Sequence, residues 1–359
     1  MELIQIVERG TGEAHAGGKA PLDVSEIAAR RGFRRLTVLR RTSKRAWMRR
    51  CFAVLWTVQS VFCSMKVPRG SVVLAQFPSV YLKGRLGYWF LSLLAKRRRA
   101  RIVTVVHDVD LLRFGTEDAV AGDFASRIMA LSDALVVHNQ RMADWFAGRG
   151  FPRGRLIPLG IFDYLTDSGS GCDAAERAEA GDFRRVIVAG NLRVGKAGYL
   201  ARLKEVSDVH WLLYGPSYDA ERCGGGNVEY MGCHPADELP ARLDGGFGLV
   251  WDGDSVETCA GGYGEYLRYN SPHKLSLYLA SGIPVVIWKE AAEADLVVRE
   301  GVGLPVASLR DVGAAMRGIS AGDYAAMRRR ARVFGRRLRN GEFIGAALER
   351  ACRMMMELT

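Results

Sequence analysis

The chain has 359 residues, room for two domains of ordinary size, and its 48% hydrophobic content with a mean hydropathy of −0.02 excludes a disordered or fibrous protein. Lys and Arg outnumber Asp and Glu by 51 to 39, a formal charge of +12 that nucleic acid, an anionic membrane surface or acidic small molecules would each answer. The seven cysteines form no CxxC pair and no zinc-like spacing, which argues for reduced thiols and against a disulfide scaffold.

Residues 3–7 predict a first strand. The run is too short for a secretory signal, and Glu8-Arg9-Gly10 follows at once. A glycine-rich loop over 9–19 would lie at the carboxyl edge of the sheet, where open α/β folds bind ligands, but it lacks a GxGxxG fingerprint. Residues 21–31 predict a helix with Pro21 near its start and Gly32 after its end. A second strand is expected at 36–39, then a long apolar helix with basic flanks at 45–65, read as core rather than as a membrane contact. Its most apolar window, 51–65, is shorter than the roughly 20 residues of a spanning helix.

Strands are expected at 72–76 and 102–106, with a helix from 88 running into Lys96-Arg97-Arg98-Arg99 between them. His107 hangs from the end of the fourth strand and reads equally as a functional group or a structural cap. Asp108 and Asp110 make a DxD-like pair, as do Asp252 and Asp254. Metal-dependent transferases hold a divalent ion with such pairs, but the spacing is common by chance and no metal is expected. A strand at 133–138, a helix at 140–148 and a strand at 155–159 close this half. Residues 166–181, rich in Ser, Gly, Asp and Glu, read as a linker.

The second half opens with a strand at 185–189 leading into Gly190-Asn191-Leu192-Arg193-Val194-Gly195-Lys196. A glycine turn with two cations after a strand is a candidate phosphate cradle, though not of Walker A spacing. Strands follow at 211–214, 228–231 and 248–251. The most informative stretch is 263–289. Pro272 pushes Ser271 out of helical geometry, making a polar turn of Asn270, Ser271 and Pro272. Leu275, Tyr278 and Leu279 give the next helix one apolar stripe, Gly282 closes it, and 283–288 has the length and β-branching of a buried parallel strand. Amides at that helix start, beside His273 and Lys274, are a natural seat for a diphosphate. A solvated helix cap is the competing reading. A last strand at 304–306 precedes a basic helical region, 324–357, interrupted at Gly341.

The expected fold is α/β, two doubly wound Rossmann-like domains facing a cleft: 1–165, linker 166–181, 182–323, and C-terminal helices 324–359 packing back on the first domain. No nucleophile motif is present. Metal-free cleavage of a diphospho-sugar needs positive charge and oriented amides on the departing phosphate, which Arg193, Lys196, Lys274 and the helix N-terminus would supply.

Several segments resemble, in order along almost the whole chain, the bacterial glucosyltransferase-3-like and β-1,6-galactofuranosyltransferase-like proteins of GT-B fold. They are AQFP at 75–78, VHDVDLLR at 106–113, VVHNQRMADWF at 136–146, FDYL at 162–165, AGNLR at 189–193, GLVWDGDS at 248–255 and, most specific, YNSPHKLSLYLASGIPVVIW at 269–288. The resemblance implies transfer of a hexose (galactofuranose, glucose or galactose) from a UDP-sugar to a saccharide acceptor, lipid-linked in one version, for cell-surface polysaccharide or glycoconjugate synthesis. It implies a UDP site of Gly190, Asn191, Arg193, Lys196, Tyr214 and Asn270, Ser271, Pro272, His273, Lys274 and Leu275. Gly18 and Lys19 would reach it from the first domain, and His107, as the catalytic residue, would lie near the donor sugar. No cofactor or metal is implied.

One feature departs from the wider retaining GT-B pattern. Leu277 stands where those enzymes carry a ribose-binding glutamate, and Glu265 has His273 rather than Glu eight residues on. Retaining stereochemistry therefore does not follow. The competing readings are a nucleotide-sugar epimerase, a catalytically silent transferase-like partner subunit or nucleotide-sugar-binding protein, and a basic nucleic-acid binder. The last lacks an aromatic-basic RNA motif. The expected location is cytoplasmic, with residues 88–101 as a peripheral contact at the inner membrane leaflet, and a homo-oligomer is left open.

Overall fold

A computed structural model describes residues 1–10, 18–40, 45–78, 85–114, 119–166 and 183–357. Most of the expected linker and of the first glycine loop falls outside them.

Twelve strands form two all-parallel sheets. The first holds β1 (Leu3–Gly10), β2 (Arg34–Arg40), β3 (Val72–Phe77), β4 (Arg101–Val106), β5 (Ala134–Val137) and β6 (Leu156–Pro158), in the order β2-β1-β3-β4-β5-β6. The second holds β7 (Arg185–Ala189), β8 (His210–Tyr214), β9 (Val228–Tyr230), β10 (Phe247–Val250), β11 (Val285–Trp288) and β12 (Gly303–Val306), in the order β12-β11-β10-β7-β8-β9. The central strands are mostly apolar because helices cover both faces of each sheet, and β5, β10 and β11 are buried along their whole length. Chain order reverses between β1 and β3 and between β7 and β10. The crevice outside the carboxyl ends at such a switch point is where doubly wound sheets take ligands.

At the second switch point β7 and β10 pair only as far as Ile187 and Gly248. Past that register the Ala189 N–H has lost its strand partner and donates instead to the Tyr278 hydroxyl at 2.7 Å. The Tyr278 ring can lie there because Gly248 has no side chain; a Cβ would stand 2.1 Å from the ring's Cγ.

The chain closes with two long helices. Ala321–Asn340 packs on helix His273–Ala280 and is N-capped by Ser320. Gly341, at φ 74°, turns the chain where a Cβ would lie 2.6 Å from Ile27. Helix Glu342–Glu357 then crosses to the first sheet, burying Ile344, Leu348, Ala351 and Met355 against Val24, Ile27 and Leu74. Asp163 receives its first amides, Phe343 N–H at 3.3 Å and Ile344 N–H at 2.6 Å. Burial pushes that carboxyl up to about 7, with the two amides pulling the other way.

Two differences from the sequence reading stand out. Helix Ala119–Leu131 was not anticipated, because its small residues carry no polar–apolar period. Helix Ala46–Met65, read as core, buries only one face; the other is exposed and apolar. Periodicity marks an apolar helix but does not say how many neighbours it has. Among the described residues no helix is long and apolar enough to cross a membrane.

Candidate functional site

The loops after β4, β5 and β6 meet residues 266–276 of the second half. The Tyr266 hydroxyl accepts from Val109 N–H at 3.0 Å, Asn139 Nδ2 donates to Tyr269 O at 3.0 Å, and Ser276 Oγ donates to Phe162 O at 2.7 Å. The carboxyl edges of the two sheets therefore face one another across this seam.

Three histidines surround Phe162. His107 stacks on its ring at 5.3 Å, His138 meets it edge-on at 5.0 Å, and His273 is 6.0 Å away. Gln76 spends its Nε2 on Pro21 O and Ser25 Oγ, so its oxygen accepts from His107 Nε2 at 2.7 Å. That assignment leaves His107 Nδ1 as a lone pair. His138 Nδ1 accepts Ser271 N–H at 2.8 Å, so its proton sits on Nε2, which is buried with no hydrogen-bond partner among the described residues. Burial holds His107 and His138 down to about 3 and His273 to about 4; neighbouring histidines add to it for His107, and the Lys19 cation for His273. All three are neutral at neutral pH. They can orient a hydroxyl or pass a proton, but they supply no positive charge.

Charge comes from the loop after β7. Arg193 and Lys196 are exposed, and Arg193 forms no ion pair among the described residues. Asn191 Oδ1 accepts from Arg193 N–H at 3.0 Å and shapes the turn, while Gly190 sits at φ 138°. Lys196 Nζ lies 5.9 Å from the Tyr263 ring. Opposite this loop, helix His273–Ala280 begins after Pro272 with no side-chain cap, and the amides of His273 and Lys274 find no acceptor among the described residues. Asn270 Oδ1, Ser271 Oγ, His273 Nε2 and His107 Nδ1 are also buried without partners, a concentration that is unusual in a folded protein and fits a site for a polar ligand. Leu275 is fully buried beneath them.

Three expected ligand residues are committed elsewhere. Lys274 Nζ donates to Trp251 O at 2.7 Å and pairs with Asp252 at 3.0 Å, so most of its charge is already answered. Lys19 Nζ is held by Asp23 at 2.8 Å, Leu165 O at 2.5 Å and Asp237 at 3.0 Å, which uses all three of its protons. In this structure it ties the two halves together, while Gly18 serves as the cap position of helix Lys19–Arg30. Tyr214 is buried in the second core, its hydroxyl accepting from Asp244 N–H at 3.1 Å. Its place at a strand end suggested the pocket, but side-chain direction decides, and this ring points inward.

One aspartate of each pair is likewise engaged, Asp108 with Arg113 at 2.7 Å and Asp252 with Lys274 at 3.0 Å. Among the described residues no group of three or more His, Cys, Asp or Glu is placed to hold a metal. Sequence reasoning passed over His138 and Phe162, although His138 ends its strand as His107 does. It also missed a buried link across the seam, Asn139 Nδ2 to Glu293 Oε1 at 2.9 Å. Burial pushes the Glu293 carboxyl up to about 8, only partly offset by Asn139.

The chain matches family models described as "Glucosyltransferase 3-like, N-terminal domain" over residues 4–161 and "Glucosyltransferase 3-like, C-terminal domain" over 186–351. It is 32% identical over 266 residues to the β-1,6-galactofuranosyltransferase WbbI of Escherichia coli K12, covering 73% of this chain and 74% of WbbI. It is 28% identical over 280 residues to glucosyltransferase 3 of Streptococcus gordonii, covering 76% and 77%. In fold it is similar to the crystal structure of Anabaena HepE in complex with UDP and glucose, at a TM-score of 0.62 and 10% identity over 98% of this chain and 100% of that one.

Proposed function

The chain belongs to the glucosyltransferase 3-like family, glycosyltransferases of GT-B fold, and from that premise we propose that it moves a hexosyl group from a UDP-sugar to a saccharide acceptor. The observation that carries this reading is the unspent helix start at His273 and Lys274, on the same sheet edge as the loop after β7 that carries the exposed Arg193 and Lys196. Amides, helix dipole and two exposed cations converge where a diphosphate would sit. The second half holds the donor, and the first half, across the seam, presents the acceptor.

In the transfer, the bond from the sugar's anomeric carbon to the β-phosphate oxygen breaks, and an acceptor oxygen bonds to that carbon. The acceptor proton passes to the β-phosphate oxygen of the departing UDP or through it to solvent, and UDP carries away the electron pair of the broken bond. Arg193, Lys196 and the amides of His273 and Lys274 stabilise the negative charge as it develops there. His107, neutral and with its buried Nδ1 unpartnered, accepts a hydrogen bond from a donor-sugar hydroxyl and fixes the ring. Asp108 and Asp252 are held by Arg113 and Lys274, so charge neutralisation falls to the cations and the reaction proceeds without a metal ion. The product is a cell-surface polysaccharide or glycoconjugate.

UDP release from UDP-galactofuranose, UDP-glucose and UDP-galactose, with saccharide acceptors and EDTA present, tests this directly. Release should be selective for one donor, survive chelation and fall at least tenfold in Arg193→Ala. No binding of UDP or any of the donors would reduce the helix start to a cap. Binding without release on any acceptor would mark a silent partner subunit.

A further inference from the structure

Residues 27–107 contain 19 lysines and arginines and not one aspartate or glutamate, while the rest of the chain is net −7. The whole basic excess therefore belongs to one segment. Helix Ala46–Met65 runs through its middle. One face of the helix packs through Trp56 and Cys63 on the first sheet and helix Arg85–Arg98. The other carries Trp47, Val54, Leu55, Val58, Phe62 and Met65, each 49–64% exposed. That spacing is a single helical stripe, about 27 Å long at 1.5 Å per residue. A continuous apolar face of this length on a water-soluble surface marks an interaction site.

We propose that this face lies on an anionic lipid leaflet, with the helix parallel to the surface. The apolar stripe would enter the boundary between headgroups and acyl chains, and the flanking cations would meet the headgroups. Charge selects this occupant. A symmetric contact with a second copy would set two strongly basic surfaces against each other, and the carboxylates that border them, Glu2, Glu26 and Asp133, are already paired with Arg34, Arg35 and Arg101. Beyond the Met65 end the cations continue: Arg69, Lys96, Arg99, Arg101, Arg149 and Arg155 line a cavity of about 1050 Å³ whose one acidic lining residue, Asp133, is paired with Arg101. No described helix can span a membrane, so the contact is with the surface. The helix starts past the carboxyl end of β2, so Trp47 marks the end nearer the seam. An acceptor anchored by a lipid would present its sugar at that end. The inference thus deepens the proposed transfer, resting on it for what the membrane presents but not for binding.

The test is co-sedimentation of the full chain with vesicles of phosphatidylcholine alone or mixed with phosphatidylglycerol. Binding should be at least about tenfold stronger to the anionic vesicles and fall about tenfold at high salt. The double substitution Val58→Asp/Phe62→Asp, on exposed positions and checked by its melting temperature, should abolish it. In an independent readout, brominated lipid should quench the tryptophan emission of the parent more than that of Trp47→Phe. Equal binding to both vesicle types, no binding at low salt, or undiminished binding by the double variant overturns the proposal. So does a dimer that the double substitution dissolves while vesicles are ignored. UDP release to a soluble acceptor is unchanged by these substitutions, so failure of the transferase reading would show separately.

Discussion

Tyr278→Phe removes one oxygen atom and nothing else, and the structure gives that atom one duty. The hydroxyl accepts from Ala189 N–H at 2.7 Å, at the point where β7 has parted from β10 and no strand carbonyl can replace it. The ring is wholly buried over Gly248, so water does not restore the bond. The variant leaves a buried amide unsatisfied, which costs about 1–3 kcal/mol. Ala189 leads directly into Gly190 and the Arg193–Lys196 loop, so the loss should also loosen that loop against helix His273–Ala280. We expect urea unfolding to show the 1–3 kcal/mol with an unchanged slope, and UDP affinity to fall about three- to tenfold. Gly248→Ala should be worse, since its Cβ would enter the ring. A Tyr278→Phe protein within about 0.5 kcal/mol of the parent would refute the argument that this hydroxyl closes the switch point.

Three further outcomes follow from the seam. His107→Ala should lower turnover about a hundredfold while UDP affinity holds, and because His107 stays neutral, the parent's rate should show no histidine titration between about pH 6 and 8. Lys19→Met should destabilise the protein by about 3 kcal/mol by stranding the buried Asp23 carboxyl, already raised to about 6, with little change in intrinsic UDP affinity; a specific loss of affinity in calorimetry would return Lys19 to the ligand site. Glu293 is raised in the folded state from an ordinary 4.5 to about 8, so its proton is held there and lost on unfolding, and stability falls as pH rises from about 4.5 through 8. Glu293→Gln keeps the acceptor for Asn139 and should raise the melting temperature at pH 8 by at least about 2 °C with no gain near pH 4; equal gains at both would refute the assignment. The histidines act at the other end, their lowered values removing stability as pH falls from about 6.5 toward 3.

Much of this was legible in the chain because the signals are local. The apolar runs that became β3, β4, β7 and β11, the turn at Pro272 and the break at Gly341 are set by side-chain chemistry within a few residues. The glycine loop after β7 and the helix start at His273 were visible for the same reason, and the similarity around 269–288 pointed to the family. Whether a cation is free for a ligand is not local. Lys274 and Lys19 read as phosphate-binding residues until Asp252, Asp23 and Asp237 arrive from other parts of the chain. Nor is side-chain direction across a seam, which turned Tyr214 into the core and gathered His107, His138 and His273 around Phe162. By itself the sequence determined the strands, the turns and the identity of the loops at the sheet edges, because those depend on neighbours along the chain. Which charges remain unanswered, which imidazoles are stripped of water and which face of helix Ala46–Met65 stays bare were decided only by the tertiary structure, since solvation and pairing depend on neighbours in space.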